Sequence, residues 1–180
     1  QEISKIIDLE GKIIKTFKES FKYASFSPNG KYVATISDRD FSLKIWTSQG
    51  KYLHQLKGEY NTVSFSADSR HMLTSSDHNA AQLWFLETSY FNTMLITSFR
   101  HHARVNKARF SKDGKSVLTA SNDGTAKLWD ISGKRLRTFK IEKYKWVNDA
   151  VFSPDNKRIL TANSNGNAQI WDAQTGKLIH

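Results

Sequence analysis

The chain of 180 residues contains no cysteine and only two prolines. Without thiols it can form neither disulfides nor a Cys-ligated zinc or iron–sulfur centre. That suits a reducing compartment, and a cytoplasmic location is the expectation. No apolar run approaches the roughly 18 residues that a membrane-spanning helix requires. The first nine residues alternate and carry charge, unlike a secretory signal. No segment shows the 3.6-residue period of an amphipathic helix. A Walker-type glycine loop and a His-Glu-x-x-His motif are also missing. His101 and His102 are adjacent, which is poor spacing for a tetrahedral metal site. No cofactor and no metal are expected.

Charge of one sign is plentiful, but clustering is not. The net charge is +10, yet no block of five like charges occurs. Dispersed lysines such as Lys12, Lys31, Lys57, Lys115 and Lys157 read as solvated positions on strands and loops. Phosphate recognition needs them gathered on one surface. Binding to nucleic acid or another anionic surface is therefore the alternative function, not the leading one.

What the chain does hold is a repeat. Phe26, Phe65, Phe110 and Phe152 each open a Phe-Ser-x-(Asp/Asn)-x motif. Trp46, Trp84, Trp129 and Trp171 follow them 20, 19, 19 and 19 residues later. A period near forty indicates an array of one supersecondary unit. The third copy is the most legible. Val105, Ala108 and Phe110 mark a first strand and Ser111–Gly114 a turn. Val117–Ala120 reads as a short buried strand. Asn122-Asp123-Gly124 signals a tight hairpin. Thr125–Trp129 and Arg135–Phe139 alternate as third and fourth strands. Four short antiparallel strands make a two-faced sheet, which must stack on neighbours to bury both faces.

These motifs resemble the WD40 repeat family, in a bacterial type of array. The resemblance rests on Phe-Ser-x-Asp-Gly, on Ser121 to Asp130, on His101 before the first strand, and on Trp171-Asp172. Trp46-Thr47 and Trp84-Phe85 depart from the name-giving dipeptide. The implied fold is all-β, built of β-propeller blades. There would be four four-stranded antiparallel repeats plus part of a preceding one, as a piece of a ring of about seven blades. The expected divisions of this single repeat domain are 1–18 for the last two strands of a preceding blade, then blades at 19–57, 58–100, 101–140 and 141–180, the last cut short in its fourth strand. Association of copies through open blade edges is a further expectation.

The resemblance also assigns residues. His101, Thr119, Asp123 and Trp129 match a hydrogen-bonded chain that braces one blade, so they are expected to be structural and not catalytic. Thr recurs at the matching place as Thr35, Thr74 and Thr161, whereas His and Asp do not. The implied activity is non-catalytic: a scaffold that binds a protein or peptide on one ring face, as the sensor or adaptor part of a larger protein. Counting back from each motif Phe places Glu59, Arg104 and Trp146, with Lys22, Asn61, Asn106 and Asn148, on that face. Arg39, Asp77 and Asn122 join them from the turns between second and third strands. Trp146, Arg104 and Arg39 are the expected anchors, because large aromatic and guanidinium groups dominate interfaces. Phe21, Tyr60, Val105 and Val147 are expected to face inward. The basic and aromatic run from Lys140 to Trp146 and the insertion from Glu87 to Thr93 are secondary contact candidates.

Overall fold

A computed structural model describes residues 4–7, 10–87, 92–141 and 146–180. Residues 88–91 of the insertion and 142–145 of the basic–aromatic run lie outside the described residues. The described chain is all β-strand with no helix, so none is long and apolar enough to cross a membrane.

Five antiparallel sheets follow one another. The first is a pair, β1 (Ser4–Ile7) and β2 (Ile13–Phe17). The second contains β3 (Phe21–Phe26), β4 (Tyr32–Ser37), β5 (Leu43–Thr47) and β6 (Tyr52–Leu56). The third contains β7 (Tyr60–Phe65), β8 (His71–Ser76), β9 (Ala80–Glu87) and β10 (Asn92–Arg100). The fourth contains β11 (Val105–Phe110), β12 (Ser116–Ser121), β13 (Thr125–Asp130) and β14 (Arg135–Lys140). The fifth contains β15 (Val147–Phe152), β16 (Arg158–Asn163) and β17 (Ala168–Asp172), with Leu178–His180 bonded along β17. Strands pair in chain order, and the sheets form an open row, not a closed ring.

The motif residues explain each first hairpin. The serine after the motif Phe donates to the Asx carboxyl or carbonyl oxygen two residues on, at 2.5–2.7 Å, in all four copies. The same hydroxyl accepts the amide of Tyr32, His71, Ser116 or Arg158, which starts the next strand. The motif's fifth residue is left-handed each time: Gly30, Ser69, Gly114 and Asn156. Glycine and asparagine enter that conformation readily, serine less so. Ser69 has a compensating contact, because its hydroxyl accepts the Asn29 amide of the preceding sheet at 3.1 Å.

Packing runs face to face. Val117 and Trp129 point from the fourth sheet toward the third, where Leu73, Leu83 and Phe99 meet them. Leu118, Ala120, Ala126 and Leu128 point the other way, onto Val147, Ala150, Ile159 and Trp171 of the fifth. Period-two alternation thus feeds two separate cores from one strand. Leu118 is 1 % exposed. Leu118→Ala should lower the free energy of urea unfolding by about 3 kcal/mol. Leu136→Ala, on the outer strand of the same sheet, should cost under about 1 kcal/mol. Equal losses at the two positions would contradict this division of the packing.

Candidate functional site

The brace in the fourth sheet is complete. Trp129 Nε1 donates to Thr119 Oγ1 at 2.9 Å. Thr119 Oγ1 lies 2.7 Å from His101 Nε2, and His101 Nδ1 lies 2.8 Å from Asp123 Oδ2. An ionised carboxylate only accepts, so Nδ1 carries the proton and Nε2 accepts from the threonine. Asp123 also receives the His102 amide and the Thr125 amide, both at 3.0 Å. The chain of bonds links the loop before β11 to β12, to the β12–β13 turn and to β13. The His101 and Asp123 side chains are 0 % and 7 % exposed.

That burial sets the charges. Desolvation pushes the His101 imidazole below its ordinary value and outweighs the nearby Asp123. His101 is therefore neutral at pH 7, and its contact with Asp123 is a hydrogen bond, not an ion pair. Burial alone would raise the Asp123 carboxyl. Hydrogen bonds from His101, Thr125 and the His102 amide prevail and hold it far below the usual carboxylate range. Lys127, 3.6 Å from Asp123, is shifted down by burial, and Asp123 partly offsets this. A nucleophile or base must reach a substrate, and neither Thr119 nor His101 does.

The other sheets keep only part of the brace. Trp46 donates to Thr35 at 2.8 Å, Trp84 to Thr74 at 3.0 Å and Trp171 to Thr161 at 2.9 Å. In the second sheet the loop before β3 is tied in differently, by Glu19 and Lys44 at 2.6 Å. In the third sheet the corresponding place is open. A cleft of about 460 Å³ lies there, lined by Lys57, Glu59, Tyr60, His78, Gln82 and Arg100 among others. Burial raises the Tyr60 phenol at its edge.

At the end of the sheets where the first strands begin, backbone bonds show equivalent positions. The amides of Asp38, Asp77, Asn122 and Ser164 donate to the carbonyls of Ser20, Glu59, Arg104 and Trp146. In the second sheet Asp38, not Arg39, holds the place of Asp77 and Asn122. That turn is one residue longer, as the 20-residue Phe–Trp spacing allows, and Arg39 lies one step further round it. Val105 and Val147 are buried, as are Tyr60 and, partly, Phe21.

Each first strand is bulged at the next position. Pairing slips between Phe21 and Tyr23, Tyr60 and Thr62, Val105 and Lys107, and Val147 and Asp149. Lys22, Asn61, Asn106 and Asn148 are the extra residues. A bulge re-aims its side chain, and here Asn61 and Asn106 reach the following sheet. Asn61 donates to the Val105 carbonyl at 3.3 Å and to Asp77 at 2.6 Å. Asn106 donates to the Val147 carbonyl at 2.9 Å and to Asn122 at 2.7 Å. Arg104 closes the first cluster, with Nε 3.0 Å from Asp77 and Nη2 donating to Asn61 Oδ1 at 3.0 Å. Lys22 stacks 4.2 Å from the Phe41 ring. Desolvation lowers its ammonium, with Asp77, Arg104, Asp38 and Glu59 near enough to be felt.

The structure thus gathers Lys22, Glu59, Asn61, Asp77 and Arg104, and pairs Asn106 with Asn122. Arg39, Glu59 and Asn148 are exposed. Trp146 is 55 % exposed, with its backbone fixed to Ser164. The bulges and the cleft beside Tyr60 have no sequence signal beyond the Asn recurring four residues before the motif Phe.

The family model described as "WD domain, G-beta repeat" matches residues 11–47, 50–84, 93–130 and 133–172. No curated protein matches the chain.

The brace carries a pH signature. A group with a depressed folded-state pKa contributes stability above its unfolded value and loses it as pH falls. For His101 the loss begins below about pH 6.5. Unfolding free energy should be flat from pH 8 to 7 and fall below pH 6.5. His101→Gln should be less stable at pH 7 by about 1–3 kcal/mol and show a shallower fall between pH 6.5 and 5. An unchanged slope would remove His101 as the titrating group.

Proposed function

Since the chain belongs to the WD40 repeat family, we propose that it is a non-catalytic scaffold that docks a protein or peptide on the bulged end of its sheets. WD40 repeats generally mediate protein–protein contacts. The observation that carries the assignment to this end is the convergence of Lys22, Glu59, Asn61, Asp77 and Arg104 beside the open cleft at Tyr60. The bulge bonds hold these polar groups in place before a partner arrives, which reduces the ordering cost of binding. Trp146 supplies a large apolar surface on the same end, and Arg104 a guanidinium already oriented by Asp77. The open cleft accepts one partner side chain.

Charge favours a polypeptide partner over nucleic acid. The cations Lys22 and Arg104 sit among the carboxylates of Asp38, Glu59 and Asp77. A phosphate backbone would meet those carboxylates as well as the cations. The sensor or adaptor role within a larger protein follows from the same reading, as does the absence of catalysis.

The test is affinity capture with the folded chain, then calorimetry with the captured partner. Trp146→Ala and Arg104→Ala should each weaken binding at least tenfold while the melting temperature moves little for Trp146→Ala. Between 50 and 200 mM salt the affinity should change by less than about tenfold, against roughly a thousandfold for a multi-phosphate contact. Undiminished binding by both variants would move the docking surface elsewhere.

A further inference from the structure

The turn between β4 and β5 departs from its counterparts at one corner residue. Phe41 is left-handed there, with φ of 55°, and its carbonyl accepts the Tyr60 amide at 3.2 Å. The same backbone bond runs from His101 to Asn79 and from Ile141 to Gly124. Those two corners are left-handed as well, with φ of 60° and 81°, and Gly166 is left-handed in the β16–β17 turn. Glycine and asparagine enter this conformation at little cost, whereas a bulky side chain crowds the backbone. Local structure therefore does not account for a phenylalanine at this place.

Core packing does not account for it either. The Phe41 ring is 40 % exposed and belongs to none of the buried clusters of the described residues. Its neighbour is the Lys22 ammonium, 4.2 Å from the ring centroid, which in turn lies among Asp38, Glu59, Asp77 and Arg104. The ring thus stands over the polar groups of the bulged end, with its backbone bonded to Tyr60 of the open cleft. The turn that carries it is tied down. Ser37 Oγ accepts the amides of Arg39 and Asp40, and Asp40 Oδ1 accepts the amide and hydroxyl of Ser42. Ser20 donates to the Asp38 carboxylate at 3.3 Å. One charge on the turn is left over: the exposed Arg39 guanidinium has no hydrogen bond or ion pair among the described residues.

We propose that Phe41 is an apolar anchor of the docking end, and that Phe41 and Arg39 together take an apolar side chain and a neighbouring carboxylate from one polypeptide segment. This rests on the docking reading of the bulged end and names the pattern its partner carries. Strained backbone positions persist where the side chain they present has a use. An exposed aromatic ring surrounded by polar groups is the usual make-up of an interface hot spot. A segment without the carboxylate would leave Arg39 unanswered, and a purely acidic one would leave the ring in water. The bonded turn holds both groups in place before the segment arrives, which lowers the ordering cost of binding.

Selection of peptides from a random display library on the folded 180-residue chain supplies the probe. Recovered peptides should carry a large apolar residue within two positions of Asp or Glu. Their affinity should fall at least tenfold for Phe41→Asn and for Arg39→Gln. Phe41→Asn should melt at the wild-type temperature or above it, because Asn79 already holds the matching corner of the third sheet. A clear drop in its melting temperature would mean that the ring serves the fold, and would overturn the proposal. So would a selection without binders, or binders indifferent to either variant. The docking reading fails separately. Binders indifferent to Phe41→Asn but weakened tenfold by Arg104→Ala would remove Phe41 and keep docking at this end, whereas binders indifferent to all three variants would remove both.

Discussion

The structure depends on one constraint: each sheet here has two apolar faces, and only another sheet can cover them. A single strand such as β12 sends Val117 one way and Leu118 the other, into separate cores. No sheet is stable alone, so the chain gains stability by repetition along one direction. That requirement explains the absence of helices among the described residues, the short turns within each hairpin and the near-constant spacing of the motif residues. The Ser–Asx turn sets the first hairpin of each unit, and the Thr–Trp bond ties second strand to third. Both recur because every unit has to present its faces at the same height and angle as the one before.

Polar groups are then confined to the places where apolar packing cannot specify geometry. The His101–Asp123 brace occupies the loop end of the fourth sheet, where the chain enters from the third and needs fixing. The second sheet uses Glu19 and Lys44 for a similar purpose, and the third leaves the place open. These alternatives share one physical rule: a buried polar group must be fully bonded, or the site must admit something else. The bulged asparagines obey the same rule across sheets. Asn61 and Asn106 act both as part of the proposed docking end and as ties to the next sheet, so binding and stability are coupled at that end.

The proposed docking surface lies at the strand starts and is polar, preorganised and mixed in charge, which favours selectivity for a partner's pattern of groups.

Much of this was legible in the chain. The Phe–Trp ruler, the Asp123-Gly124 hairpin and the alternation around Leu118 are local patterns, and local patterns determined the all-β repeat and the strand positions of the third copy, while the brace residues were implied by the resemblance to the WD40 repeat family. What only the tertiary structure decided concerns contacts between units. Counting put Arg39 at the turn position, but the longer turn gave that place to Asp38. Asn61 and Asn106 read as docking-face residues, on the same side of the chain as Glu59 and Arg104 respectively. The bulges turned them onto the carbonyls of the next sheet, a change of direction that no residue type announces. Arg104 is an expected anchor whose partners Asp77 and Asn61 only the structure shows. An apolar run of Val151, Leu160, Ile170 and Ile179 is scattered over three strands and the segment after β17, and becomes one row only when register places them side by side. Sequence carries the periodicity within a unit because neighbours along the chain set it. It does not carry the meeting of units, because that depends on how distant strands are aligned and turned.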